Sequence, residues 1–238
     1  MGTAVLRAHG GSEHQGPTAS RGDVLAGYRH LREIGKQHHS NVLGFLPRDA
    51  VLQQARRLGL ATGRTILVDS PDELTLAFDL AIYTAPAGRS RAVDRYARST
   101  LFPQGSDEAV MLAAMCGARF AILAVQRQHP VAGLLVTDVF RQTDLWLLDE
   151  GLEQSLAEGA MFATRYYTPA DFVMTAGIGI PIDLDFLEAA ILTVPQLQHR
   201  TLVEALGDRR FAEAIYKAAI AEAVMEGVSY QDPDGDTA

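Results

Sequence analysis

A chain of 238 residues, 47% hydrophobic and 21% charged, has the composition of an ordinary globular protein, long enough for one large domain or two modest ones. Its only cysteine, Cys116, excludes an intramolecular disulfide and any multi-cysteine zinc site, which fits a reducing cytosol. No apolar run approaches the roughly 18 residues of a membrane helix and the N-terminus lacks a signal-peptide core, so the expected protein is soluble, cytoplasmic and not membrane-bound.

The net charge of −8 is unevenly spread. Residues 1–100 carry 13 Lys and Arg against 9 Asp and Glu, whereas residues 101–238 carry the remaining 8 against 20. Such asymmetry signals either a first half that faces nucleic acid or two halves that dock on each other. Only Lys36 and Lys217 are lysine, so the basic side chains are almost all guanidinia.

Residues 1–20, with Gly10-Gly11-Ser12 and Gly16-Pro17, lack hydrophobic periodicity and read as a disordered leader. A helical region, 21–117, follows. Val24, Tyr28, Leu31, Ile34, His38, Val42 and Phe45 recur at spacings of three and four, the stripe of an amphipathic helix over Asp23–Phe45. Pro47 opens a second helix, Arg48–Leu58, which Gly59 ends. Thr65–Val68 is strand-like. Ser70-Pro71-Asp72-Glu73 is the clearest local signal: a serine cap, proline at the first helical position and a glutamate three residues on, opening a helix to Tyr83 that Pro86-Ala87-Gly88 stops. Arg89–Arg98 forms the next helix, with Arg91, Arg95 and Arg98 on one face. Ser106 caps a helix over Asp107–Cys116, and Gly117 ends it.

From Arg119 the pattern changes. Apolar runs at 120–125, 134–139, 145–148, 161–167 and 172–175 are of strand length, and the Pro, Gly and Asp residues between them mark turns. Short connections require antiparallel neighbours. Five short strands seldom stay flat, so residues 118–181 are expected to curl into a small five-stranded antiparallel β-barrel or curled sheet, SH3-like or OB-like, with a helical turn at 152–156. Pro181-Ile182-Asp183 opens a C-terminal helical region, 182–227: one helix broken at Pro195, then Gln196–Leu206 and Asp208–Met225. Residues 228–238 read as an acidic disordered tail. The fold class is α+β, with no fixed repeat.

The chemistry is sparse. There is no GxSxG, HExxH or GxxxxGK[ST]. Gly177 and Gly179 lack the third glycine of a dinucleotide loop and suit a strand bend. Cys116, near a helix C-terminus, has the wrong end of the dipole for a thiolate. His30, Glu33 and His38 share helical spacing, but a histidine on an apolar stripe is more often a hydrogen-bonded core residue, and no metal or cofactor is expected. Trp146, Tyr166, Tyr167 and Phe172 form either a stacking platform or the core of a small barrel; Tyr166 and Tyr167, adjacent on a strand, must face opposite sides. Arg91, Arg95 and Arg98 form either a phosphate site or a face paired with the acidic second half. Asp138, Arg141 and Asp149, near strand ends, are the nominal candidates for a dispersed active site.

These features favour a non-enzymatic interaction or regulatory protein that uses the barrel as its recognition module, with a protein partner or self-association. A nucleic-acid-binding protein, acting through Arg91/Arg95/Arg98 and the barrel aromatics, is the alternative. An enzyme with a dispersed site is the third.

Overall fold

The computed structural model describes residues 20–68, 70–201, 204–205 and 208–222. The predicted leader up to residue 19, the predicted tail, and Gly207, which separates the last two predicted helices, lie outside them.

The first helix, α1 (Arg21–Val42), starts where the Ser20 side chain accepts the Asp23 backbone N–H, and it buries Tyr28, Ile34, His38 and Val42 as the periodicity requires. A 3-10 turn (Leu43–Phe45) leads to α2 (Ala50–Leu58), closed by Gly59 in the left-handed conformation, φ 84°. A two-residue-per-strand hairpin, β1 (Ala61–Thr62) and β2 (Thr65–Ile66), precedes α3 (Pro71–Tyr83). Ser70 caps α3 by accepting the Glu73 N–H at 3.4 Å, with Pro71 in the first turn. α4 (Ala92–Ser99) begins three residues later than expected because Gly88 turns left-handed, φ 74°, and Arg91 takes the cap position. α5 (Asp107–Cys116) is capped by Ser106.

Five expected strands are present: β3 (Arg119–Gln128), β4 (Leu134–Asp138), β5 (Thr143–Leu147), β6 (Met161–Tyr167) and β7 (Met174–Thr175), with α6 (Glu150–Ser155) between β5 and β6. They run in the order β5-β4-β3-β6-β7, antiparallel throughout. A sixth short strand, β8 (Ile180–Pro181), pairs with β6 at Ala163 and Phe162, while β7 pairs with β6 at Tyr166 and Tyr167. Gly177 and Gly179 therefore lie where the chain leaves β6 and rejoins it. The far edge closes as well: Val173 donates to the Trp146 carbonyl at 2.8 Å and accepts from Leu148 N–H at 2.9 Å. This bridge from β5 to the start of β7 curls the sheet into a half-barrel.

The inner face of the half-barrel is filled by Ala121, Leu123, Val125, Leu134, Val136, Leu147, Phe162 and Tyr166. Alternation sends the intervening residues outward. Ile122, Ala163 and Ile180 meet α2, α3, α7 (Leu184–Leu192) and α8 (Phe211–Ala221), whereas Tyr167 and Met174 meet α1, α4 and α5. Helices from both ends of the chain thus cover the outer face of one curled sheet, an α+β fold. Gly133, at φ 77°, is required by crowding: an added Cβ would overlap the Leu147 carbonyl oxygen and lie 2.9 Å from Leu148 Cδ2.

Two C-terminal expectations need correction. Pro181 belongs to β8, and Asp183 caps α7 by accepting the Phe186 N–H at 2.8 Å. Residues 196–200, expected to begin a helix, form consecutive turns after Pro195.

The charge asymmetry is reflected in contacts between the halves. Arg21 pairs with Glu153 at 2.8 Å, Arg29 with Glu150 at 2.7 Å and Arg57 with Glu213 at 3.8 Å. The arginines of these pairs are exposed and the glutamates largely covered, and each pair contributes on the order of 1 kcal/mol. A buried pair, Asp79 with Arg165, joins the halves in the opposite sense, its acid coming from the first half and its base from the second.

Candidate functional site

Arg165 lies on β6, where strand alternation aims it outward beside Ala163 and Tyr167. Because α3 and α8 cover that face, the guanidinium is only 6% exposed. A buried charge requires a partner, and α3 supplies Asp79. Arg165 Nε donates to Asp79 Oδ1 at 2.7 Å and Nη2 to Oδ2 at 2.9 Å, a bidentate fork. Tyr216 Oη on α8 donates to the same Oδ2 at 2.9 Å. The guanidinium also lies over the Tyr83 ring, 4.9 Å from its centroid, and near the Phe120 ring at 5.6 Å. Burial opposes the Arg165 charge, but Asp79 outweighs it and holds the guanidinium above its ordinary value.

Asp79 and Tyr83 are one turn apart on α3 and so share a face. Tyr83 Oη is 2.8 Å from His39 Nε2 on α1. The His39 ring is also hydrogen-bonded to the Gly35 backbone, and the direction of the Tyr83–His39 bond follows the His39 tautomer. Desolvation pushes the His39 imidazole down to about 4 and the phenols of Tyr83 and Tyr216 well above their usual value. At neutral pH all three are uncharged.

These groups border a pocket of about 230 Å³ between α1, α3, α8 and the 176–178 segment. Leu43, Leu76, Phe78, Ile82 and Ile178 make its wall apolar; Asp79, Tyr83, Tyr216 and His39 supply the polar end. The Tyr216 proton is committed to Asp79 and the Tyr83 hydroxyl is engaged by His39, so what Asp79 and Tyr216 leave for a guest is mainly acceptor oxygen. Gly177 also lines the pocket, and a Cβ there would meet nothing within 4 Å.

The residues favoured by sequence reasoning lie elsewhere and are not brought together. Tyr166 fills the half-barrel and borders a separate cleft with Arg119 and Arg141, while Tyr167 is buried on the opposite face against the helices. Trp146 donates its indole N–H to the Ala132 carbonyl at 2.7 Å and stacks on His129. Arg91 donates to Asp94 and the Cys116 carbonyl, Arg95 to the Phe45 and Ser90 carbonyls, and Arg98 is exposed. Asp138 accepts from Arg141 and from the backbone N–H groups of Phe140 and Arg141 in its own turn. Asp149 caps α6 and accepts the Thr175 hydroxyl, to which Arg32 also donates. His38 is a core histidine between Tyr96 Oη and the Glu108 carbonyl, whereas His30 pairs with Asp107 at the surface. Burial raises the Cys116 thiol above its ordinary value. Among the described residues no group of three His, Cys, Asp or Glu side chains is placed to hold a metal ion, and no helix is long and apolar enough to cross a membrane.

Asp79, Arg165, Tyr83, His39 and Tyr216 were not singled out from the sequence, although a signal exists. Asp79 is the only charged residue in Leu74–Tyr83, and Arg165 the only one in Met161–Tyr167. A lone charge of each sign inside an otherwise buried helix and a buried strand is the pattern of a buried pair.

Comparison with curated proteins and with solved structures finds no match. Residues 23–218, which span every element from α1 into α8, match a family of unknown function, and the chain belongs to that family, DUF7986.

Proposed function

We propose that this chain is a non-enzymatic small-molecule-binding protein whose ligand rests against Asp79, Tyr83 and Tyr216. The supporting observation is the convergence of these polar side chains, from α3 and α8, on one end of an otherwise apolar pocket, the usual make-up of a ligand site. Sites for drug-sized ligands run from about 300 to 1,000 Å³. The pocket here, about 230 Å³, suits something smaller.

The chemistry narrows the guest further. Asp79 is already neutralised by Arg165, so an ammonium gains little net attraction, and an anion would face acceptor oxygens. An apolar body ending in a neutral donor, a hydroxyl or an amide, fits best. His39, pushed down to about 4 by burial, is too weak a base for proton transfer near neutral pH, which favours a binding role for it in this pocket.

The test is native mass spectrometry on protein purified from its natural source, beside a Gly177→Leu variant. Position 177 has room for a side chain and no left-handed φ, so the variant fills the pocket without straining the backbone. A small adduct on the wild type that disappears from the variant, at unchanged melting temperature, supports the assignment. Ligand-free mass in both proteins, together with a fragment screen by NMR that moves no signal of Tyr83 or Tyr216, refutes it.

A further inference from the structure

A second concavity, independent of the pocket above, lies between α2, the turn over residues 84–90 and the start of α8, with a volume of about 880 Å³. Five guanidinia line it, those of Arg57, Arg89, Arg95, Arg209 and Arg210, against a single carboxylate, Glu213. Two of the five are compensated. Arg57 lies 3.8 Å from Glu213, and Arg210 pairs with Asp208 at 2.6 Å. The other three have no carboxylate partner among the described residues. Arg95 donates to the carbonyls of Phe45 and Ser90, Arg209 donates to the Ala85 carbonyl at 2.7 Å, and the exposed Arg89 side chain has no partner among the described residues. Arg95 and Arg209 thus clamp the turn that carries Arg89, and three positive charges are gathered at one concavity with most of their N–H donors unspent.

We infer that this cleft binds a small phosphate-bearing ligand, a phosphomonoester or diphosphate group. Three uncompensated guanidinia match a multiply charged anion better than a single carboxylate does, and the planar fork of arginine suits the bidentate geometry of phosphate oxygens. The charges surround a concavity rather than following a stripe. A long polyanion would also run out over a molecule with a net charge of −8, whose residues 101–238 carry 20 acidic side chains against 8 basic ones. These two features select a compact ligand over a nucleic-acid strand.

Pyrophosphate is the probe, titrated calorimetrically at low salt into the wild type and into Arg89→Gln, Arg209→Gln and Arg98→Gln. The Arg89 side chain is exposed and makes no hydrogen bond or ion pair among the described residues, so its loss is expected to leave the fold intact; Arg98 is exposed on α4 and does not line the cleft. The expected result is saturable binding that weakens by about tenfold or more in R89Q and R209Q and is unchanged in R98Q. A single-stranded oligonucleotide of mixed sequence is the second probe and should bind more weakly than pyrophosphate. No pyrophosphate binding at millimolar concentration overturns the inference, as does binding that R89Q leaves intact. Oligonucleotide binding that pyrophosphate fails to displace also overturns it, in favour of a nucleic-acid surface.

Discussion

The buried Asp79–Arg165 pair gives the sharpest test of how the two ends of the chain are joined, because α3 precedes the sheet and Arg165 lies within it. Asp79→Leu removes both oxygens of the fork. Arg165, 6% exposed, then keeps its charge with no other carboxylate paired to it among the described residues and with the faces of Tyr83 and Phe120 beside it, while Tyr216 loses the acceptor of its O–H. Breaking a buried pair from one side costs about 3–5 kcal/mol, mostly the penalty of the stranded charge. Cation–π contact with two rings returns about 1–2 kcal/mol and is already present in the wild type, so it does not reduce the difference. For a chain of this length each kcal/mol moves the melting temperature by roughly 2–4 °C, and the expected fall is therefore roughly 6–20 °C. The pair as a unit is a different matter: replacing both members by apolar side chains is commonly neutral or stabilising. Asp79→Leu/Arg165→Met should consequently recover most of what the single variant loses. Guanidinium chloride unfolding of the wild type, both single variants and the double variant completes the cycle. A single-variant loss below about 1 kcal/mol, or a double variant no better than Asp79→Leu, would refute the reasoning.

Three further outcomes are expected. Gly133→Ala should cost at least about 2 kcal/mol, since it combines a left-handed φ with overlap at Leu147 and Leu148, whereas Gly159→Ala, left-handed but in open space, should cost about 1–2 kcal/mol; equal losses in a denaturant series would contradict the packing at β4. Ser70→Ala should destabilise by about 1 kcal/mol through loss of the α3 cap, and an unchanged midpoint would mean that the cap is dispensable. His39, held near 4 in the folded chain and near its ordinary value of about 6.5 when unfolded, binds its proton only in the unfolded state between those values. Its contribution is complete above pH 6.5 and lost as pH falls toward 4, by up to roughly 3 kcal/mol, with Asp79 and Arg32 the charges that act on it. His38, shifted in the same direction, keeps part of the slope, so His39→Gln should flatten the stability profile without levelling it; an identical slope would count against the assignment.

The sequence alone determined the parts that local physics decides. The Ser70-Pro71-Asp72-Glu73 start, the Ser106 cap and the Gly59 stop each act within one turn of a helix. The five strands of the half-barrel were legible because turn residues cut the apolar runs into strand lengths. Tyr166 and Tyr167 had to face opposite sides because successive side chains on a strand do so. His38 could be read as a core residue from its place on the apolar stripe of α1.

The candidate pocket was not legible in this way. His39, Asp79, Arg165 and Tyr216 come from α1, α3, β6 and α8, and Asp79 is separated from Arg165 by 86 residues and from Tyr216 by 137. A lone Asp in a helix and a lone Arg in a strand announce that something must neutralise each, but not that they neutralise each other. That pairing depends on the curl of the sheet and on helices from both ends of the chain closing over one face. The arginines divide on the same ground. Periodicity places Arg91, Arg95 and Arg98 together on α4, yet Asp94 and the Cys116 carbonyl engage Arg91, while the turn at 84–90 gathers Arg95 with Arg89 and Arg209. Helical spacing is a one-dimensional property, and which charges share a cleft is settled by the packing of segments distant in sequence.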